Sequence, residues 1–295
     1  MTTNDRLPAW RPTRILAATD LSAISDQAVN HAAALARHFD AHVYLTHVLA
    51  GIGHFPISGE RGEATHQRRE DAERKIGDIL KSVQMRGVRH TVLLEAGFVW
   101  QTLDTLIRTH EIDLVIVGTH GRKDVKEEFL GSWAELIFRN AECPVITVGP
   151  ACEDGGCHDA KYAHILFATD FGRASERATP YACSLAQEFR SVLLLLHVID
   201  DTGRYSEQGW AMLHETARIQ LLESVPAGMD QQCSLEYLVR RGDSAEEILH
   251  VARSKKVDLI VMGARRGTNF VAHLPEPAAY TVIAAAPCPV LTVKA

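Results

Sequence analysis

The chain is a tandem duplication, and this feature constrains its fold more than any other. The segment RILAATDLSAISDQAVNHAAALARHFDAHVYLTHVL, residues 14–49, returns as HILFATDFGRASERATPYACSLAQEFRSVLLLLHVI, residues 164–199. A second block, AECPVITV at 141–148, returns as APCPVLTV at 286–293, and the spacing between copies drops from 150 to 145 residues. Two matching blocks in the same order predict two similar domains, with a five-residue length change around residues 50–90.

Each copy alternates apolar segments of strand length with helical patterns. In the first copy, we expect strands at 14–20, 43–49, HTVLLEAG, DLVIVG and PVITV, and helices at Ser22 to Phe39, about Glu63 to Met85, WQTLDTLIRTH, and from Ser132 onward. Apolar strands separated by helices are typical of a mainly parallel sheet that is covered on both faces. We therefore expect an α/β fold class with two doubly wound parallel-sheet domains, 1–150 and 151–295.

Composition sets the broad class of protein. With 46% hydrophobic and 23% charged residues in 295, the chain fits two soluble globular domains. A formal net charge of −6 argues against a general nucleic-acid binder, so no nucleic-acid partner is expected. No apolar run approaches the roughly 18 residues of a membrane span, and the N-terminus lacks a signal-peptide core. Six scattered cysteines fit a reducing compartment, and we expect a cytoplasmic protein.

A glycine-rich pattern, Gly118-x2-Gly121-x9-Gly131-Ser132, follows the fourth predicted strand of the first copy. In an open parallel sheet, ligands bind beyond the carboxyl ends of the strands, where Asp20 at the end of the first strand would also lie. Glycines let the backbone approach an anion, and a helix that begins at Ser132 favours phosphate. The same spacing also fits a plain turn from strand to helix. Glycine spacing alone leaves both interpretations open.

The pattern resembles the nucleotide-binding signature of the universal stress protein family. The ILAATD and ILFATD openings, the LTHV and LLHV strands, and the CPVITV and CPVLTV endings resemble the same family, twice along nearly the whole chain. The resemblance implies a five-stranded sheet of order 3-2-1-4-5 in each domain, and ATP, with or without Mg²⁺, beside strands 1 and 4.

In the first copy, the resemblance implies nucleotide contacts with the adenosine, ribose and phosphate groups. Val43 would offer its backbone to adenine, while Gly121 and Gly131 would hold phosphates together with the start of the last helix. The full set of implied contacts is Ala18, Asp20, Val43, Val117, Gly118, His120, Gly121, Arg122, Gly131 and Ser132.

The second copy departs from the family pattern. Gly263 matches the first glycine of the motif, but the other three positions hold Arg266, Glu276 and Pro277. A carboxylate repels phosphate, and proline lacks an N–H donor. We expect ATP in the first domain only, with the second domain serving as a structural partner or binding another ligand.

The expected function is therefore an ATP-binding protein of the stress response. Two alternatives stay open, a slow ATPase and a nucleotide-independent interaction module, because the sequence offers no convincing nucleophile and base. Asp20 fits a ligand contact or a helix cap. His47 and His197 recur in both copies, which favours packing or turn stabilisation over acid–base chemistry.

Two further features bear on metals and assembly. Cys152, Cys157 and His158 supply only three zinc ligands in a linker, and the sequence therefore favours no metal site. Single-domain members of the family pair through their final strands. The resemblance thus implies an intramolecular pseudo-dimer through PVITV and PVLTV, with a homodimer of two chains as an option.

Overall fold

The structure is a computed structural model that describes residues 10–50, 60–119, 132–152, 160–200, 205–264 and 278–295. It divides into two compact units. The N-terminal unit contains residues 12–150 and residue 160, and the C-terminal unit contains residues 161–295 with residues 10, 11, 151 and 152.

Residues 10 and 11 pack with the second copy, although the expected boundary placed them in the first. The backbone N–H of Trp10 donates to Ser184 Oγ at 2.9 Å. The indole of Trp10 also meets the ring of Tyr181 edge-on, with 4.9 Å between centroids. An aromatic contact and a hydrogen bond therefore bind this short segment to the C-terminal unit.

The N-terminal unit alternates five strands with four α-helices. Its strands are β1 (Arg14–Ala18), β2 (His42–Ala50), β3 (His90–Gly97), β4 (Leu114–Gly118) and β5 (Val145–Val148). Its helices are α1 (Ala23–Phe39), α2 (Glu60–Lys81), α3 (Val99–Thr109) and α4 (Ser132–Asn140), and a 3₁₀ turn spans Val83–Met85.

The C-terminal unit repeats this arrangement. Its strands are β6 (His164–Ala168), β7 (Val192–Ile199), β8 (Ser234–Arg241), β9 (Leu259–Ala264) and β10 (Val290–Lys294). Its helices are α5 (Arg173–Phe189), α6 (Glu207–Glu223), α7 (Ser244–Ser254) and α8 (Ala278–Ala285), and a 3₁₀ turn spans Met229–Gln231. A further 3₁₀ turn, Pro150–Cys152, lies where the chain passes from the first unit to the second.

Within each unit the five strands are parallel and follow the expected order. The N-terminal sheet runs β3-β2-β1-β4-β5, and the C-terminal sheet runs β8-β7-β6-β9-β10. Ala18 at the end of β1 pairs with Thr46 of β2 on one side and Val117 of β4 on the other. The α/β fold class and the order 3-2-1-4-5 are confirmed. The strand order changes direction beside β1, and this creates the crevice that doubly wound sheets use for ligands.

Local sequence explains where the first two helices begin and end. Ser22 caps α1 in a capping box, because its side chain accepts from the backbone of Ser25 while Ser25 Oγ accepts from the backbone of Ser22. Helix α2 begins at Glu60 and ends at Lys81, so it lies three to four residues before the expected span, and Val83–Met85 forms a separate turn. Helix α2 has 22 residues and its counterpart α6 has 17, which places a length difference in the expected region.

Burial follows position in the sheet. Strands β1 and β4 are buried along almost their whole length, and therefore read as continuous apolar runs. Strand β3 is outermost in its unit and is partly exposed, with Val92 37% accessible. Among the described residues, no helix is both long enough and apolar enough to span a bilayer.

Two matching aspartates fix the opposite, amino edge of the central strands. The carboxylate of Asp113 accepts hydrogen bonds from the backbone N–H groups of Thr13 and Arg14, at 2.8 and 3.0 Å. In the second copy, Asp258 accepts from the backbone of His164 at 2.8 Å. These bonds hold the entry to β1 against the entry to β4, and the entry to β6 against the entry to β9.

Gly263, the surviving glycine of the second copy, has a packing reason to be glycine. A Cβ atom at this position would clash with the backbone of Ala174 and Ser175, and would lie 2.7 Å from Ala174 Cβ. The start of α5 therefore rests directly on the end of β9. By the repeat, Gly118 occupies the same position at the end of β4.

We predict that Gly263→Ala destabilises the C-terminal unit, because the clash is with backbone atoms that cannot rotate away. Overpacking of this kind costs about 1–3 kcal/mol. Urea unfolding of the intact chain should show a lower midpoint for the C-terminal transition. Gly209→Ala is the matched control, because its Cβ would meet Ser206 Oγ at an ordinary 3.4 Å within a helix. Equal midpoints for the two variants would contradict the packing role.

Candidate functional site

The turn after β1 is held by a dense set of hydrogen bonds. Thr19 is fully buried, its N–H donates to Thr46 O at 2.9 Å, and its Oγ1 accepts from the N–H of Leu21 at 2.9 Å. Asp20 Oδ1 accepts from the N–H of Ser22 at 3.0 Å. Leu21 takes a φ of 63°, in the left-handed region that non-glycine residues rarely occupy. The turn thus presents the half-buried carboxylate of Asp20 at the carboxyl edge of β1.

The end of β4 lies beside this turn. Ala18 pairs directly with Val117, and their exposed fractions are only 2% and 4%. Gly118 ends β4 and is half-buried, and the next residue, Thr119, donates its N–H to Val148 O at 2.9 Å. The structure therefore brings Ala18, Val117 and Gly118 together at one edge with the Asp20 turn.

The start of α4 reaches the same edge. Helix α4 begins at Ser132, and the ring of the next residue, Trp133, stacks on His47 with 6.1 Å between centroids and 29° between planes. His47 Nδ1 is in turn hydrogen-bonded to Thr19 O at 2.8 Å. This chain of contacts places the N-terminus of α4 near the β1 turn. Unpaired N–H groups and the helix dipole favour an anion at such a position.

The structure corrects the expectation for Val43. This residue lies at the amino end of β2, where it pairs with Ile15 and is fully buried, and its backbone N–H donates to Arg89 O at 2.8 Å. The edge of the sheet that forms the site is reached at Thr46, three residues further along β2. At about 3.3 Å per residue, Val43 and Thr46 are about 10 Å apart along the strand. Val43 therefore does not reach the candidate site.

Four expected site residues lie outside the described residues, namely His120, Gly121, Arg122 and Gly131. Ser132 is placed by the backbone of α4. The phosphate-holding part of the motif therefore stays a prediction.

Three residues at this edge were not among the predicted nucleotide contacts. His47 and Val48 continue β2 past Thr46, and Trp133 directly follows the Gly-Ser pair. The repeated LTHV and LLHV segments carried the signal for the first two, because counting the strand register from Ala18 leads to Thr46. The contact of the Trp133 ring with His47 had no signal in the sequence other than the position of Trp133 in the first turn of α4.

The structural role expected of the two histidines is confirmed. His197 Nδ1 is hydrogen-bonded to Thr169 O at 2.8 Å, which reproduces the contact of His47 in the first copy. The covering ring differs between the copies, since the ring of Phe171 lies 4.4 Å from His197. Each histidine is thus held by a backbone carbonyl and covered by an aromatic ring.

Burial and neighbouring charges perturb two titratable groups at this edge. Burial lowers the pKa of His47, and Lys75 adds to this effect, whereas the Thr19 carbonyl and Asp20 oppose it. Burial raises the pKa of Asp26, and the charge of Asp20 adds to this effect while Lys75 opposes it. The site therefore lies in a mixed field, with one ammonium close to two carboxylates.

Burial raises the pKa of the thiol in two of the described cysteines. Burial raises the pKa of the Cys143 thiol to about 12, and raises that of Cys288, which lies near buried Cys152, well above its ordinary value. Protonated, buried thiols are poor nucleophiles and poor metal ligands. Cys157 and His158 lie outside the described residues, and the described part of the chain contains no group of three His, Cys, Asp or Glu residues suited to a metal.

The corresponding turn of the second copy is built in the same way. Asp170 Oδ1 accepts from the N–H of Gly172 at 2.9 Å and from Ser175 Oγ at 2.8 Å. The substituted motif positions, Arg266, Glu276 and Pro277, lie outside the described residues. The loss of the nucleotide site from this copy thus stays a prediction from the sequence.

We predict that His47 titrates below the ordinary imidazole value of about 6.5. Asp20→Asn should lower this pKa further, and Lys75→Met should raise it, because the two charges act in opposite directions. Histidine ring resonances followed by NMR from pH 5 to 8 measure both shifts. Because folding lowers this pKa, the stability linked to His47 is present above about pH 6.5 and is lost as the pH falls through the folded value. A midpoint at or above 6.5 would contradict the burial argument.

Comparison with known proteins identifies the family. The family model described as the universal stress protein family matches residues 12–149 and again 161–294. A universal stress protein of Mycolicibacterium smegmatis is 28% identical over 288 residues, covering 95% of this chain and 96% of its own. Another, from Methanocaldococcus jannaschii, is 30% identical over 138 residues, or 46% of this chain and 81% of its own.

A solved structure matches both units. The crystal structure of a universal stress protein from Archaeoglobus fulgidus superposes with a TM-score of 0.71 and 19% identity, covering 97% of this chain and 99% of that one. At this identity the likeness concerns the fold alone. The two matches of the family model cover most of the chain, and the protein therefore belongs to the universal stress protein family as a tandem, two-domain member.

Proposed function

We propose that this protein is an ATP-binding protein of the stress response that holds one nucleotide in its N-terminal unit. The observation that carries the proposal is the convergence of three elements on one edge of the sheet. The Asp20 turn, the end of β4 at Gly118 and the start of α4 meet there, linked by the contacts from Trp133 through His47 to Thr19.

The chemistry of these elements suits a nucleotide. Ala18, Val117 and Gly118 provide a floor with short side chains, so a flat ligand meets little obstruction. The carboxylate of Asp20 is suited to ribose hydroxyls or to Mg²⁺ on the phosphates. The α4 N-terminus at Ser132 is suited to phosphate.

We assign to Val48 the adenine contact expected of Val43, because Val48 lies on the carboxyl half of β2. The proposal also includes His120, Gly121, Arg122 and Gly131 on the sequence pattern alone.

Binding rather than turnover is favoured by how the polar groups at this edge are used. Asp20 Oδ1 holds the backbone of the turn, and His47 Nδ1 holds Thr19 O. The described residues at this edge do not form a nucleophile with an adjacent base, as hydrolytic catalysis generally requires. The protein is therefore proposed to sense or store nucleotide, with slow hydrolysis at most.

The C-terminal unit is proposed to act as a structural partner. Phe171 covers His197 at the position of the site edge, and the phosphate motif is lost from the sequence. Pairing of β5 with β10 in a pseudo-dimer is part of the proposal, supported by the outermost place of each strand within its own unit.

We predict that calorimetric titration of the intact protein detects one equivalent of ATP per chain. Gly131→Glu should weaken binding at least a hundredfold, because a carboxylate about 4 Å from a phosphate is repelled by several kcal/mol. Gly77→Glu introduces the same side chain where a Cβ meets nothing within 4 Å, and it should retain binding.

Other outcomes separate the alternatives. If the parent protein does not bind ATP, the proposal fails. Two equivalents per chain would refute the single site. Turnover well above background that disappears in Asp20→Asn would favour an ATPase.

A further inference from the structure

A cavity that is separate from the candidate nucleotide edge lies in the N-terminal unit, between α1 and α2. Its volume is about 380 Å³, within the range of small-molecule sites. Leu21, Val29 and Ile79 give it an apolar wall, and Leu21 is the only described lining residue that also belongs to the β1 turn. None of the residues assigned to the nucleotide lines it among those described.

One hydroxyl in this cavity lacks a hydrogen-bond partner among the described residues. The Oγ atom of Ser82, at the C-terminal end of α2, is buried and makes no hydrogen bond within the described part of the chain. Buried polar groups in native proteins are almost always hydrogen-bonded, because leaving them unpaired is costly. A ligand with a polar group would satisfy this atom.

Two side chains of opposite charge also line the cavity. Asp26 on α1 and Lys75 on α2 both border it. Burial raises the pKa of Asp26, and the ammonium of Lys75 partly opposes this rise. Neither has an ion-pair partner within 4 Å among the described residues. Asp78 is the other acidic lining residue, and its Oδ1 atom lies 3.9 Å from Lys81 Nζ at the surface. Within the described part of the chain, the cavity is therefore lined by a carboxylate, Asp26, and an ammonium, Lys75, that form no direct ion pair within 4 Å.

This arrangement favours a ligand that carries both charges. A simple anion that pairs with Lys75 would be repelled by Asp26, and a simple cation that pairs with Asp26 would be repelled by Lys75. We propose that the cavity binds a small zwitterion with an apolar side chain, of the amino-acid type. Its ammonium pairs with Asp26, its carboxylate with Lys75 and Ser82 Oγ, and its side chain packs on the apolar wall. The inference goes beyond the nucleotide site and does not depend on it.

The electrostatics provide a specific readout. Lys75 lowers the pKa of His47. In the absence of nucleotide, a ligand carboxylate that pairs with Lys75 should therefore raise this pKa. The histidine titration thus reports occupancy of this cavity through a group that does not touch the ligand.

The test compares three related probes on the intact protein. L-Leucine carries both charges, 3-methylbutylamine lacks the carboxylate, and 4-methylpentanoate lacks the ammonium. Calorimetry, with and without ATP, should show saturable L-leucine binding and at least tenfold weaker binding of the other two. Saturating L-leucine should raise the pKa of His47. Absence of saturable L-leucine binding up to tens of millimolar, or equal affinity for the three probes, overturns the proposal.

Variants separate ligand contacts from folding effects. Asp26→Asn and Lys75→Met should each weaken L-leucine binding at least tenfold. Ser82→Ala should weaken it severalfold without lowering the thermal stability of the ligand-free protein, because the alanine removes an unpaired hydroxyl. Arg74→Met is the control, since Arg74 pairs with Asp71 at the surface at 2.8 Å, and it should bind normally. Unchanged affinity in Asp26→Asn and Lys75→Met would refute the assignment.

Discussion

The geometry of the candidate site depends on how the backbone of Thr19 is held. Its N–H donates to Thr46 O and its carbonyl accepts from His47 Nδ1, so β2 holds both backbone groups of the residue that follows β1. With this peptide fixed, Leu21 is held in a left-handed conformation and Asp20 is directed to the carboxyl edge. A neutral imidazole can bond a carbonyl through Nδ1–H, and burial, which lowers the pKa of His47, favours that neutral form.

The two copies use the same clamp but cover the histidine differently. In the first copy the covering ring comes from Trp133, at the start of α4, so the clamp also positions the helix that carries the end of the glycine motif. In the second copy the ring comes from Phe171 in the turn itself. The sequence pairs these changes, since Leu21 matches Phe171 and Trp133 matches Ala278. The aromatic ring that covers the histidine thus comes from the helix in the first copy and from the turn in the second copy, whose sequence lacks the phosphate motif.

Much of this arrangement followed from the sequence. The buried strands gave strong apolar runs, and the first helix was expected to begin at Ser22, which is its N-cap in the structure. The strand order came from the family resemblance, since pairing of distant strands leaves no local signal. Val43 was misplaced because β2 has a buried valine towards each end, Val43 and Val48, so the apolar pattern does not tell which end reaches the site, and only the register with Ala18 does. The end of α2 was placed too late because Val83–Met85 continues the pattern as a 3₁₀ turn. The cavity beside α2 left no motif, because its residues come from separate helices.

The duplication also separates residues that the fold requires from residues that a ligand requires. The clamp histidine, the turn aspartate and the first glycine occur in both copies, and the second copy gives each a structural cause. His197 holds Thr169 O, Asp170 holds the turn, and Gly263 makes room for the start of α5. The motif positions that differ between the copies lie between the end of β4 and the start of α4. The proposed specificity for nucleotide is therefore assigned to that segment, and Asp20 and Gly118 would contribute chiefly by fixing the edge of the sheet beside it.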